Sequence, residues 1–120
     1  VIGVGTALHD MPRLTVRIPV RIEVQLGEDR TMTMCQTENV SAGGMLVRLR
    51  RPHALEARPR FELLLRDEDR AVTGEGVVVR HTETDLRGHT GEGIKFSRFD
   101  DDGGHRLRGY LERVLTQSAG

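Results

Sequence analysis

An alternating run near the amino end is the feature that most constrains the fold of this chain. Every second residue from Leu14 to Leu26 is apolar, and the residues between them are polar, charged or proline. Successive side chains of a strand point to opposite faces, so the run predicts a strand over residues 14–26 with one buried and one wet face. Pro19 has no N–H group, which predicts an edge position or a bulge there.

Short strands separated by turn signals continue along the chain. Gly27-Glu28-Asp29 predicts a hairpin connection, and residues 37–44 predict a turn. Extended structure is predicted at 30–36, 45–49, 61–65, 72–80 and 93–99. This spacing favours an antiparallel barrel or sandwich over alternating strands and helices.

The carboxyl end changes to a helical period. Apolar residues recur at helical spacing on one face: Leu107, Tyr110, Leu111, Val114 and Leu115. The carboxylates of 100–102 come just before this stretch and suit the positive end of a helix. The sequence therefore predicts an all-β body that is closed by one C-terminal helix.

Length, charge and cysteine content exclude several classes of protein. A chain of 120 residues is enough for one domain, and 18 basic residues balance 18 acidic ones. A neutral balance argues against general nucleic-acid coating and membrane adhesion. No apolar run approaches the ~20 residues that span a bilayer, so no membrane insertion is expected. The single Cys35 excludes an internal disulfide and favours a reducing compartment, the cytoplasm.

Catalytic and metal-binding patterns are missing from the sequence. It has no GxxxxGK phosphate loop, no HExxH pair and no paired cysteines. The five histidines are scattered and are interpreted as surface residues, and Cys35 as a buried structural thiol. We therefore expect a protein that is not an enzyme and that holds no metal and no cofactor.

Two local features could bind a ligand. Arg13, Arg17 and Arg21 are spaced four apart, which in an extended segment places them on one face, with about 13 Å between one arginine and the next. Such a row is either a solvated strand face or a pocket for a polyanion. The stretch Asn39-Val40-Ser41-Ala42-Gly43-Gly44 is either an ordinary turn or a set of short donors and exposed amides that a ligand can approach.

Together the two features resemble the PilZ domain family, whose signature is RxxxR followed by [DN]xSxxG. The matching stretches are RLTVR at 13–17, which Ile-Pro-Val follows, and NVSAGG at 39–44. The later GEGIKF at 91–96 and the terminal helix also lie where the family has them. The resemblance covers residues 12–116, leaving an N-terminal segment at 1–11 and a tail at 117–120.

The resemblance implies a six-stranded antiparallel split β-barrel with a C-terminal helix, and a receptor for the bacterial second messenger cyclic di-GMP. It implies these ligand-binding residues: Arg13, Arg17, Asn39, Ser41, Gly43 and Gly44. Arg17-xxx-Arg21 also fits the first motif, so Arg21 is kept as an accessory candidate. Pro12 stands where many relatives have a further arginine, so one or two ligand molecules are both compatible with the sequence.

The implied role is to pass the signal to an unidentified output protein or domain, through a change in surface, tail or oligomer such as a homodimer. No nucleic-acid polymer is expected as a partner. Motility, polysaccharide export and surface attachment in biofilms are all open as the regulated process. The alternative is an adaptor of the same family that acts by protein contact without nucleotide. A small barrel enzyme or RNA-binding module is disfavoured, because catalytic groups and aromatic or lysine-rich stretches are absent.

Overall fold

Six antiparallel strands close into a barrel, and one helix follows them. The computed structural model describes residues 16–28 and 30–119. The elements are β1 (Glu23–Glu28), β2 (Thr31–Val40), β3 (Gly44–Leu49), β4 (Arg60–Leu64), β5 (Val72–Thr84), β6 (Thr90–Phe99) and α1 (Gly103–Ala119). Around the barrel the strands are ordered β1-β2-β3-β6-β5-β4. The predicted fold class, a six-stranded antiparallel barrel with a C-terminal helix, is confirmed.

The first predicted strand is wrong in its amino-terminal half. Residues 16–22 form no regular strand, and β1 begins only at Glu23. Pro19 cannot donate a ladder hydrogen bond. The chain turns at this residue, and the N–H of Val20 donates to the carbonyl of Ile18 at 2.7 Å. Val16 is 42 % exposed rather than buried, whereas Ile18 and Ile22 still face the core. Leu14 lies outside the described residues.

β2 is longer than predicted and takes in part of the expected turn. Its last residue, Val40, exchanges backbone hydrogen bonds with Ile18. Buried Thr37 stabilises the same crossing, because its hydroxyl donates to the carbonyl of Val20 at 2.7 Å and accepts from the N–H of Ile22 at 2.8 Å. The true turn is confined to residues 41–43.

Three phenylalanines pack against one another and connect β4 with β6 in the core. Phe61 of β4 lies 5.0 Å from Phe96 and 5.7 Å from Phe99 of β6, measured between ring centroids. Tilted and edge-on rings at this distance attract beyond the area that they bury. The rest of the core is mostly aliphatic, with Val24 and Leu26 of β1 fully buried.

Helix α1 packs on the barrel through the predicted face. Leu107, Tyr110 and Leu111 are buried, whereas Leu115 is 42 % exposed, so the buried face ends earlier than predicted. Arg106 fixes the first turns, since its Nε donates to Glu68 Oε1 at 2.8 Å. No helix within residues 16–28 and 30–119 has the length and apolar character needed to cross a bilayer.

Candidate functional site

The crossing between residues 16–22 and β2 brings the two sequence motifs into contact. Ile18 and Val40 form a two-way backbone bridge, with N···O distances of 2.8 and 2.9 Å. The bridge places Arg17 beside Asn39, and Arg17 Nη1 donates to Asn39 Oδ1 at 2.9 Å. A residue of RxxxR and a residue of NxSxxG therefore meet across 22 positions of sequence. Arg13 lies outside the described residues.

The turn after β2 is organised by Ser41. Its Oγ accepts from the N–H groups of Gly43 and Gly44 at 3.2 Å each, and its own N–H donates to the Gly44 carbonyl at 2.8 Å. Ser41 is only 6 % exposed. Its hydroxyl thus shapes the turn that presents Gly43, which is exposed.

Gly44 allows the turn to lie against β6. A Cβ atom at this position would come 2.5 Å from the carbonyl oxygen of Ile94, which is closer than real Cβ contacts come. β3 and β6 pair here, with Gly44 opposite Lys95. The second glycine of the motif is therefore required by the close approach of two backbones.

An open depression of about 270 Å³ lies where these parts meet. One side is formed by residues that the motifs predicted: Arg17, Ser41, Gly43 and Gly44. The other side comes from β5 and β6: Val79, Gly93, Ile94 and Lys95. The described lining holds two cations, no carboxylate and the exposed side chain of Val79, 54 % accessible. Such a lining suits an anion that carries an apolar or planar group.

Sequence reasoning missed Lys95 and Val79 as lining residues. Lys95 lies between buried Ile94 and Phe96, so strand alternation turns its side chain outward. Val79 lies at the register shift between Val78 and Arg80 of β5, and its side chain is exposed. Lys95 is also the only lysine of the chain. The alternation was readable from the sequence, but the neighbourhood with Arg17 depends on the pairing of β3 with β6.

Arg21 does not join this depression. It lines a separate one of about 390 Å³ with Gln36, Thr37, Glu38 and Arg48. Arg48 there is already paired with Glu38, with Nε and Oε2 2.8 Å apart. The expected row of arginines on one strand face is broken between Arg17 and Arg21 by the turn at Pro19.

A second polar cluster, which does not line the depression, lies in the barrel wall. Glu92 is fully buried; its Oε2 lies 2.9 Å from His53 Nδ1, and its other oxygen accepts from the His53 N–H. His81 Nε2 lies 2.8 Å from the His53 carbonyl oxygen. The interpretation of all histidines as surface residues is therefore wrong for His53. Its partner Glu92 is 39 positions away in the sequence, so the sequence did not reveal the contact.

Cys35 and the acidic and histidine side chains offer no metal centre in the described part of the chain. No group of three or more His, Cys, Asp or Glu residues among 16–28 and 30–119 is arranged to hold an ion. Burial, together with the smaller effect of the nearby Glu92 charge, raises the pKa of the Cys35 thiol to about 12. A thiol held protonated in this way is a poor nucleophile and metal ligand.

The fold of this chain is also found among solved structures. The chain is similar to the Bacillus subtilis inhibitor of motility (MotI/DgrA), with a TM-score of 0.71 and 23% sequence identity. The match covers 84% of this chain and 50% of that protein, so this chain spans about half the length of its structural relative. A direct comparison with curated protein sequences finds no match.

Comparison with family models identifies the domain. The model described as PilZ domain matches residues 12–113, which is most of the chain and includes both sequence motifs and the first part of the closing helix. The six-stranded antiparallel barrel and the C-terminal helix are those expected for that family. The chain belongs to the PilZ domain family.

Proposed function

We propose that this chain is a receptor domain for cyclic di-GMP, which binds in the depression beside Arg17 and Asn39. PilZ domains form a family of cyclic di-GMP receptors and are generally non-enzymatic binding domains. The observation that carries the proposal is the contact of Arg17 with Asn39 at the rim of a cationic depression. We further propose a bacterial, cytoplasmic setting, because this messenger is made and sensed there.

The chemistry of the ligand matches the lining. Cyclic di-GMP carries two phosphate charges and two guanines, and the guanine O6 and N7 atoms accept a bidentate arginine. In the proposed complex Arg17 supplies this fork and Lys95 supplies a point charge to a phosphate. Exposed Gly43 and the side chain of Val79 border the same space and can contact the ribose-phosphate ring and a base face.

The depression is large enough for only part of the ligand. Small-molecule sites commonly enclose about 300–1,000 Å³, and the described lining encloses about 270 Å³. Arg13, four residues before Arg17 in the RLTVR motif, is the candidate for the remaining contacts. Asn39 acts in this proposal by orienting Arg17, and Ser41 and Gly44 by shaping the turn.

Titration calorimetry with cyclic di-GMP tests the site. Arg17→Ala should weaken binding about 5- to 150-fold, the equivalent of one bidentate guanine contact at about 1–3 kcal/mol. Arg21→Ala is the matched control, because it removes the same side chain from the other depression and should leave the affinity within about twofold, the scale of a neutral surface change. Equal losses in both variants, or an Arg17→Ala protein with unchanged affinity, would contradict the assignment.

The signal must leave the domain through another surface. We propose that binding is relayed to an output protein or domain, with motility and biofilm formation as candidate processes; the structural relative is named an inhibitor of motility. The alternative, an adaptor that acts by protein contact without nucleotide, predicts no heat of binding in the same titration.

A further inference from the structure

Part of β2 presents an open strand edge. β2 pairs with β1 along its whole first half, from Thr31 opposite Glu28 to Gln36 opposite Glu23. Its pairing with β3 begins only at Thr37, opposite Val47. Within the described residues, Thr31–Cys35 therefore has a partner strand on one side only. We call these five residues the open edge.

The direction of the backbone groups on the open edge follows from one hydrogen bond. The N–H of Thr37 donates to the carbonyl of Ile22, so Thr37 faces β1. In an antiparallel ladder the backbone groups of alternate residues point the same way, and the register with β1 has no shift. Thr31, Thr33 and Cys35 thus bond toward β1, while Met32 and Met34 aim their N–H and C=O groups outward.

The open edge lacks the usual protection against pairing. Native edge strands are commonly guarded by charges, prolines or bulges, and Thr31–Cys35 has none of them. Met32 and Met34 are also 43 % and 53 % exposed, on the same side of the strand. Methionine is common at adaptable binding surfaces, and an exposed sheet edge can accept a further strand through its backbone groups.

From this we propose that the occupant is a second copy of the chain, paired through antiparallel β2 strands around a two-fold axis at Thr33. In this register Met32 of each copy lies opposite Met34 of the other, and these are the two residues of the open edge whose backbone groups point away from β1. Thr33 lies opposite Thr33, and Thr31 opposite Cys35. Every pair falls within the open edge, whereas a register centred on Met34 would reach residues that β3 already occupies.

Charge favours a copy of the chain over a charged partner. No residue of the open edge is charged, so the two strands meet without like-charge repulsion. The chain as a whole has a formal net charge of zero, so two copies do not repel each other at long range either. The four methionines would form one apolar cluster on a single side of the new sheet. This proposal does not rest on nucleotide binding.

Disulfide capture tests the register even for a weak dimer. In the register centred on Thr33, that residue forms a non-hydrogen-bonded pair with Cα atoms about 4.5 Å apart, within the range for a disulfide. Thr33→Cys in a Cys35→Ser background should therefore cross-link under mild oxidation. Thr31→Cys in the same background is the matched control, because its two Cα atoms would lie about 13 Å apart. We expect at least tenfold more cross-linked dimer from Thr33→Cys.

A backbone variant completes the test. Met34→Pro removes an outward N–H that bonds nothing within the barrel, so adding it to Thr33→Cys should abolish the cross-link while circular dichroism shows an intact fold; Met34→Leu should retain the cross-link. Equal capture at positions 31 and 33, no capture at either in folded protein, or capture that survives Met34→Pro would overturn the proposal. So would sedimentation of the unmodified chain as a monomer throughout a concentration series.

Discussion

At the scale of single residues, Arg17 is oriented by a neutral acceptor rather than by an acid. Its hydrogen bond to Asn39 is exposed, so it contributes little to folding, on the order of 0.5–1.5 kcal/mol. A neutral partner leaves the full positive charge of the guanidinium available to an anion. A carboxylate there would neutralise part of that charge, although it would hold the fork equally well.

Asn39→Ala separates orientation from charge. We expect it to weaken cyclic di-GMP binding by roughly 2- to 10-fold, which is less than the effect of Arg17→Ala. The guanidinium of Arg17 remains in this variant, but its hydrogen bond to residue 39 is lost. Thermal unfolding should change little, because the lost hydrogen bond is exposed. Asn39→Asp keeps an acceptor that holds the fork but neutralises part of its charge, so it measures the effect of charge with the orientation retained. A loss as large as that of Arg17→Ala would show that Asn39 contacts the ligand itself.

Asp100 is a carboxylate outside the site whose ionisation is tied to the folded state. The Thr73 hydroxyl donates to its carboxylate at 2.7 Å, and Arg60 and Arg98 each donate at 2.6 Å. These hydrogen bonds, that of Thr73 first, lower the pKa of Asp100 to about 2. The folded protein therefore binds this proton more weakly than the unfolded chain does.

The pH dependence of stability follows with a definite sign. The stabilisation by Asp100 is fully present above the pKa of an unfolded aspartate, about 3.9, and is lost as the pH falls toward 2. The difference in unfolding free energy between the native chain and Asp100→Asn should thus be largest near neutral pH and shrink below pH ~4. Urea titrations at several pH values measure it, with exposed Asp67→Asn as the control. A difference that grows on acidification would contradict this account.

At the scale of elements, the connection between β3 and β4 depends on buried Glu92. This connection, residues 50–59, has no regular structure, yet Glu92 of β6 accepts hydrogen bonds from both the backbone and the ring of His53. His81 of β5 holds the carbonyl of the same residue. A fully buried carboxylate with these partners anchors the loop to two strands at once.

Removing that carboxylate should loosen the loop. Glu92→Ala leaves the His53 N–H without its acceptor, and we expect a loss of about 1–3 kcal/mol in unfolding free energy by urea titration. Hydrogen exchange should accelerate across residues 50–59 more than in β1. Glu92→Gln retains an acceptor oxygen and should lose less stability. Equal losses in the two variants would point to the charge, and unchanged exchange in the loop would contradict the anchoring role.

The elements with strong local patterns were predictable, and those fixed by distant partners were not. Residues 45–49 and 61–65 are short, mainly apolar runs and the helix has a clear period, and the structure has β3, β4 and α1 there. A break of the strand at Pro19 could be expected from its missing N–H group. The path that residues 16–22 take instead depends on hydrogen bonds with Thr37 and Val40. The contact of His53 with Glu92 spans 39 positions, and no local pattern contains it.

At the scale of the whole molecule, closure of the barrel creates the candidate site. The motifs lie on residues 13–17 and 39–44, yet half of the lining comes from β5 and β6. The sequence predicted the barrel, the helix and the identity of the motif residues. It could not place Lys95 and Val79 beside Arg17, because that neighbourhood needs the pairing of β3 with β6. Arg21 fits the repeat in sequence but lines the other depression.

Mapping of amide chemical shifts in a ¹⁵N-labelled chain during titration with cyclic di-GMP tests the central claim most directly. The account predicts that the largest changes cluster at Arg17, Gly43, Gly44, Gly93 and Lys95, with the backbone of Arg21 and Arg48 much less affected. GMP at the same concentration should produce smaller changes at the same residues. Absence of shifts at saturating ligand, or shifts centred on the depression that contains Arg21, would contradict the claim that this depression is the receptor site.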